Sequence, residues 1–592
     1  MCGIIGCVQR GGDCWPRVYD GLKRLEYRGY DSVGVAVLDQ NAIGIRKKKG
    51  GADALADAYL KGGAGIGHTR WATHGAPSDE NAHPHAAGKF ALVHNGIVEN
   101  FAALKEELVA EGEVFLSETD SEVIVKLISR AYTGDFLRAV RDGCARLEGS
   151  YAIAVLCEDF PDTVVCAKCK SPLVAGTGAD GVYVCSDIPA LSGVCGSICP
   201  ASDGELICLV GQRVLFYDFN LNAIDKTFTL SDGGSAVRER GAFTSYMEEE
   251  IADIPRALSD TYAALKGMDF TACARKLAAA ERIFAVACGT AFHSTLAFRF
   301  VAEKCLGVPV ICERASEFRY KTRLIQKDDV LVAVSQSGET ADTAEAVKRA
   351  KAAGAYVVSV TNVRHSTIAA LSDTNVPMRA NAEIAVAATK SYNCQLMCLF
   401  TLAAEACCKK TGVYPSFYYD LPALSFAARE AFSCFPEVDA LASRLKEKSA
   451  MYFLGRDADF VTAVEGALKV KEIAYVFSEG YPAGELKHGT LALVEKGFPV
   501  IAIVTQKSLA KKTENAVAEV IARGGYVALF SPFESVLKES AAQFCCKIPA
   551  VREELAGAVS VIPLQYFALR MCQLRGHDPD KPRNLAKSVT VE

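Results

Sequence analysis

Val330-Leu-Val-Ala-Val334 runs directly into Ser335-Gln-Ser-Gly-Glu-Thr340, and an alanine-rich stretch opens at Ala341. An unbroken apolar run of this length, closed by a turn signal, reads as a strand buried on both faces. A strand, a hydroxyl-rich turn with one glycine and a helix N-terminus make a natural anion site. Free backbone N–H groups, the helix dipole and the Ser335, Ser337 and Thr340 hydroxyls would all face a phosphate. Helix capping alone would also place Ser and Thr there, and this segment by itself leaves both readings open.

Working outward, the same texture occurs twice. Arg282–Gly289 resembles Ala450–Gly455, Asp329–Ser335 resembles Phe498–Val504, and Gly354–Val360 resembles Gly525–Phe530. Alanine-rich helical stretches separate the members of each set. Strand–helix–strand–helix–strand, repeated, predicts two doubly wound parallel modules. The second copy has Thr505-Gln-Lys-Ser508 where the first has the Ser-Gly-Glu-Thr run, so it reads as a structural partner and not a second phosphate site.

The first 220 or so residues differ: short apolar runs such as Ser32–Val37 and Tyr151–Leu156 lie between glycine turns, with helical patterns at Asn100–Glu111 and Ser121–Ala131. Layered sheets with flanking helices are expected. The polar, glycine-containing run Ser231–Gly241 reads as a linker. The predicted organisation is a first domain at 2–225, a linker at 226–245, modules at 246–430 and 431–582, and a tail at 583–592.

The totals narrow the function. The chain has 592 residues and a formal net charge of −5, which gives no electrostatic footprint for nucleic acid or an anionic membrane. No apolar run reaches the roughly 18 residues needed to span a bilayer. The 23 cysteines are scattered, and the N-terminus carries no secretory pattern, which fits a reducing cytosol. Cys166-Ala-Lys-Cys169 is a lone CxxC without a second pair, so no metal is assigned to it.

Cys2 can be an ordinary second-position cysteine. Removal of Met1 would instead give it a free α-amine, a base of pKa near 8 beside a thiol, able to form a thioester with an amide. Residues further on favour that chemistry. Arg70 offers a guanidinium for an amino-acid carboxylate. Asn95 and the Gly96 N–H could stabilise an oxyanion. Asp120 could take the substrate ammonium. His74 reads as a structural or rim histidine, because the α-amine already supplies a base.

Cys2-Gly-Ile-Ile-Gly6, Leu25-Glu-Tyr-Arg-Gly-Tyr-Asp-Ser32, Arg70-Trp-Ala-Thr-His-Gly75 and His94-Asn-Gly-Ile-Val-Glu-Asn100 together resemble the class II glutamine amidotransferase domain. That resemblance implies an N-terminal-nucleophile hydrolase fold, a four-layer αββα sandwich, of mixed α/β and α+β class with the modules that follow. It implies Cys2 as nucleophile, Asn95 and Gly96 as oxyanion hole, and Arg70, Trp71, Thr73, His74 and Asp120 around glutamine. The Ser335 segment resembles the phosphate loop of SIS (sugar isomerase) domains, with Ser335, Gln336, Ser337 and Thr340 as contacts. That family often has Ser where this chain has Ala291 and Ala388, so Thr290 is a candidate replacement contact.

With Glu465–Glu472, Gly484–Gly489 and the tail Pro582–Glu592, nearly the whole chain resembles the glutamine–fructose-6-phosphate aminotransferase family. This implies a Schiff base at Lys587, ring opening by His488 across a subunit boundary, and proton transfer by Glu472 with Lys469 as its charge partner. It also implies an internal ammonia path gated by Trp71 and the tail, glutamine and fructose 6-phosphate as substrates, no cofactor, a cytoplasmic homodimer, and a first step towards UDP-N-acetylglucosamine. The alternatives are another class II amidotransferase and a sugar-phosphate-sensing SIS regulator. No phosphoribosyl loop supports the former, and the regulator would leave Cys2, Glu472, His488 and Lys587 without a chemical purpose.

Overall fold

A computed structural model describes residues 2–40, 42–230, 241–321, 324–364 and 366–589. Half of the expected linker 226–245, namely 231–240, lies outside the described residues. The chain falls into two compact units, Met1–Glu239 with Ala586–Glu592, and Arg240–Leu585.

The first unit holds two antiparallel sheets. The larger has eight strands in the order Thr229–Leu230, Cys195–Pro200, Val174–Gly178, Gly181–Cys185, Gly3–Gln9, Ala64–Arg70, Ser32–Asp39 and Ala42–Lys49. The other has seven, with Gly149–Cys157 and Phe90–Val98 near one end and the short His85–Ala87 at its edge. Strand alternation distributes the core. Ile4 and Val8 of Gly3–Gln9 face Ala91, Val93, Ala152 and Ala154 between the sheets. Ile5 and Cys7, on the opposite face, pack under the helix Trp15–Leu25 with Val18 and Leu22. Phe90, Leu92, Ile153 and Val155 pack under the helices Phe101–Ala110, Ser121–Ala131 and Phe136–Cys144. The layers are therefore αββα, the sandwich that the N-terminal motifs imply.

The helix Trp15–Leu25 has no side-chain cap at Cys14, although Pro16 in its first turn suits a helix start. Its buried residues, Trp15, Val18, Leu22 and Leu25, nevertheless fall on one stripe. Cys166 and Cys169 lie on the strand Thr163–Cys169, three residues apart and thus on opposite faces.

The second unit contains the duplicated modules. The first sheet has the order Val310–Arg314, Ile283–Ala287, Val330–Ser335, Tyr356–Thr361 and Thr374–Pro377, and every pair is parallel. The second repeats it with Phe477–Pro482, Ala450–Gly455, Pro499–Ile503, Tyr526–Ser531 and Phe544–Lys547. Numbered along the chain, each is 2-1-3-4-5, the flavodoxin-like doubly wound order. Two strands per module go beyond the repeat visible in the sequence. They are the second and fifth, the edge strands of each sheet; Glu313 and Arg314 end one and Lys547 another, and charge is typical of edges.

Both sheets send one face into a common core. Ile283 and Ala285 from one, and Met451 and Phe453 from the other, join it with the helices Gly289–Leu306, Lys390–Thr411, Ala458–Ala474 and Gly557–Leu574. In a 2-1-3-4-5 sheet, ligands bind beyond the carboxyl ends of the first and third strands, where the winding reverses. Here those ends are Cys288-Gly289-Thr290 and Ser335–Thr340. Among the described residues no helix is long and apolar enough to cross a membrane.

Candidate functional site

Cys2 immediately precedes the strand Gly3–Gln9, which is paired on both sides, with Gly3 opposite Thr69 and Ile5 opposite Cys185. The Trp71 N–H donates to Cys2 Sγ at 3.4 Å. The Cys2 carbonyl accepts from Asn95 Nδ2 at 3.0 Å and from Arg28 Nε at 3.3 Å. Burial pushes the Cys2 thiol up, against the opposing effect of the Trp71 hydrogen bond. The thiol therefore needs a base to become a nucleophile.

Arg70 is buried at the end of its strand. Its Nη2 donates to the carbonyls of His74 and Gly75, while its Nη1 is buried without a protein partner. A buried guanidinium with an unused N–H suits a ligand carboxylate. Asp120 is also buried; it accepts from the Val98 N–H at 2.8 Å and from Ser121 Oγ at 3.3 Å. On the loop after Arg70, Trp71 and His74 are half-buried and Thr73 is exposed. The His74 ring lies edge-on to Phe101, 5.4 Å between centroids.

Gly96 is required by geometry. It has φ +145°, and a Cβ there would lie 2.0 Å from the Ser150 carbonyl. Glu99 N–H bonds Glu148 O at 2.8 Å, so odd-numbered residues of this segment face the strand Gly149–Cys157. The even-numbered Gly96 N–H faces the other way, beyond the end of the short strand His85–Ala87.

In the second unit, Ser335 Oγ accepts from the Gly338 N–H at 3.0 Å and lies 2.9 Å from Thr340 Oγ1. Ser337 Oγ accepts from the Glu339 N–H at 3.1 Å. Gly338 turns the loop at φ +68°. Thr340 stands at the N-cap position of the 12-residue helix Ala341–Ala352 without a side-chain cap bond, and Gln336 is half-buried. The second module differs at the matching place. Thr505 N–H donates to Asp459 Oδ2 at 2.9 Å, and its hydroxyl binds the same carboxylate. Burial raises that carboxyl to about 7. An internal acid thus takes the Thr505 donors, where the first module has hydroxyl side chains.

Thr290 begins the helix that follows the first strand. Its hydroxyl donates to Glu465 Oε1 at 3.1 Å and accepts from Lys469 Nζ at 2.9 Å. Lys469 is wholly buried and donates to Glu472 Oε2 at 2.6 Å. Burial works to lower the Lys469 pKa, and the Glu472 and Glu465 carboxylates more than offset it, so the amine is held above its ordinary value and charged. His293 Nδ1 lies 2.7 Å from Glu465 Oε2. The cluster joins the two modules across the helices Gly289–Leu306 and Ala458–Ala474.

His488 is exposed on the turn Glu485–His488. Lys587 is half-buried in the tail segment that packs with the first unit. Sequence reasoning had not singled out Arg28, His68, Glu465 or His293. Arg28 lay within a quoted motif, and its Nη1–Asp187 contact at 2.6 Å joins residues 159 positions apart.

A thiol second in the chain on an αββα sandwich, followed by two SIS modules, defines a glutamine amidotransferase joined to a sugar-phosphate unit. The model of the glutamine amidotransferase domain matches residues 45–210, and that of the SIS domain matches 276–405 and 444–575. Two curated relatives, from Caldanaerobacter subterraneus and Symbiobacterium thermophilum, are 40% and 42% identical over 100% of both chains; each is named glutamine–fructose-6-phosphate aminotransferase (isomerizing). The solved C-terminal domain of the glucosamine-fructose-6-phosphate aminotransferase of Francisella tularensis is 32% identical, with a TM-score of 0.56 over 58% of this chain and 100% of that one. The chain belongs to the glutamine–fructose-6-phosphate aminotransferase family.

Two outcomes follow from these charges. Lys469→Met strands the buried Glu465, and is expected to cost about 3–5 kcal/mol in urea unfolding followed by circular dichroism; a cost below about 1 kcal/mol would contradict the cluster. Separately, burial lowers the pKa of His68, His83, His85 and His94, that of His68 to about 3. The unfolded chain therefore binds protons first, and stability of the first unit falls as pH drops below about 6.5. Both tryptophans of the chain, Trp15 and Trp71, lie in that unit. Their fluorescence should give a urea midpoint that falls between pH 7.5 and 5; a flat profile would contradict neutral buried imidazoles.

Proposed function

We propose that this chain makes D-glucosamine 6-phosphate and L-glutamate from D-fructose 6-phosphate and L-glutamine. The observation that carries the reading is the end-to-end match to relatives of that name, with both kinds of site on one chain.

In the glutamine unit, the α-amine of Cys2 takes the thiol proton as sulfur attacks the substrate amide. Asn95 Nδ2–H and the Gly96 N–H take the developing oxyanion. Arg70 binds the glutamine carboxylate through its spare N–H, and Asp120 binds its ammonium. Trp71, Thr73 and His74 border the substrate. Ammonia leaves, and water releases glutamate from the thioester.

In the sugar unit, Ser335, Gln336, Ser337 and Thr340 hold the phosphate at the helix N-terminus. Thr290 stands at the edge of that site, and its hydroxyl orients Lys469. His488, supplied by a second copy of the chain, assists ring opening. Lys587 condenses with the C2 carbonyl of the open ketose, releasing water; ammonia adds to this iminium more readily than to a ketone and expels the lysine amine, leaving the imine at C2. Glu472 then moves a proton from C1 to C2, first as base and then as acid, with charged Lys469 holding its carboxylate. Ammonia must stay neutral on its way, because an apolar path disfavours the ion; Trp71 and the tail gate that path. The exposed turn at His488 supports a homodimer, and the substrates belong to the cytoplasm.

Cys2→Ala tests the reading. Amino-sugar formation from glutamine should fall by at least about 10³-fold, while formation from a high concentration of ammonium salt persists. A variant that still used glutamine at the normal rate would overturn it.

A further inference from the structure

His68 lies wholly buried on the strand Ala64–Arg70, and its ring reaches across to the other sheet. Its Nε2 is 2.8 Å from the His94 carbonyl and 3.1 Å from Asn95 Oδ1. The His94 carbonyl can only accept, so Nε2 carries the proton. Nδ1 has no protein partner, which suits a neutral ring. Burial keeps it neutral, with a pKa of about 3.

The strand pairing explains why an imidazole stands here. His85–Ala87 pairs with only Phe90–Leu92, so the next outward-facing backbone groups, those of His94, have no ladder partner. Two histidines replace it. The His94 N–H donates to His83 Nδ1 at 3.2 Å, and the His94 carbonyl accepts from His68. The His68 and His83 rings stack 4.0 Å apart with 13° between planes.

Asn95 therefore has only one good orientation. Its Nδ2 donates to the Cys2 carbonyl at 3.0 Å while Oδ1 faces the His68 N–H. A flipped amide would set oxygen against the Cys2 carbonyl and NH2 against the Nε2–H, two repulsive contacts at once. We propose that His68 is a positioning residue for glutamine hydrolysis, whose Nε2–H locks the Asn95 amide so that its NH2 faces the Cys2 end of the site. One N–H is spent on the Cys2 carbonyl, and the amide group carries a second for the oxyanion. This deepens, and rests on, the reading of Asn95 as an oxyanion donor.

Three variants separate the donor from the ring. His68→Leu keeps bulk without a donor. His68→Gln places an amide N–H near the Nε2 position, and His68→Asn reaches only the Nδ1 position. Each is compared with the parent for glutaminase kcat and KM, for inhibition by the aldehyde analogue of glutamine (glutamate γ-semialdehyde), and for binding of glutamate. The aldehyde forms a tetrahedral adduct with the thiol and needs the oxyanion donors, whereas glutamate does not. In His68→Leu and His68→Asn, kcat should fall roughly 10²-fold, aldehyde inhibition should weaken by a similar factor, and KM and glutamate affinity should hold within about twofold. His68→Gln should recover most of the loss, and its contrast with His68→Asn carries the test if the leucine variant does not fold. Unchanged kcat and aldehyde inhibition in His68→Asn, or aldehyde and glutamate binding falling together, would overturn the proposal. Asn95→Ala with full aldehyde inhibition would instead overturn the oxyanion assignment beneath it.

Discussion

The carbonyl of Cys2 is held by Asn95 and Arg28, and the glutamine chemistry depends on that anchorage. A residue so near the chain start is held by little else, and chain ends fray unless tied down. Here the following strand lies inside its sheet with a partner on each side. Two side-chain donors then fix the last peptide before the thiol. One of them, Asn95, is also the oxyanion candidate, so holding the proposed nucleophile and aiming the proposed donor are a single arrangement.

The second unit applies a comparable constraint to a charge. Lys469 has no exposure and lies between Glu465 and Glu472. Burying these groups is costly unless every polar atom finds a partner. Thr290 and His293 come from the other module, so the network closes only when the two modules share their core. That places a charged amine and the carboxylate it holds near the carboxyl ends of the first module's strands, where a doubly wound sheet leaves its crevice. In the second module Thr505 gives its N–H and hydroxyl to Asp459, so the two copies differ at the loop proposed to hold phosphate.

Much of this was legible in the amino-acid sequence. The duplicated βαβ texture foretold two parallel modules, because central strands buried on both faces are uniform apolar runs. Cys2, Arg70, Asn95 and the Ser335 loop stood out because their chemistry is local in sequence. The edge strands were not visible, since they carry no strong period, and the helix opening at Trp15 has its apolar stripe but no side-chain cap at Cys14. Nor were the supporting residues. His68 acts on Asn95 from the opposite sheet, Arg28 reaches Asp187, and His293 meets Glu465 from 172 positions away. Such pairings exist only once the chain is folded. Thr290, considered as a phosphate contact, has its hydroxyl engaged by Lys469 and Glu465.

The central claim is that nitrogen freed at Cys2 passes to the sugar without mixing with solvent. The direct measurement supplies glutamine labelled with nitrogen-15 at the amide, in the presence of excess unlabelled ammonium, and reads the isotope in the amino-sugar product by mass spectrometry. The account predicts product that carries the label almost undiluted. Product whose label matches the mixed ammonium pool would contradict it.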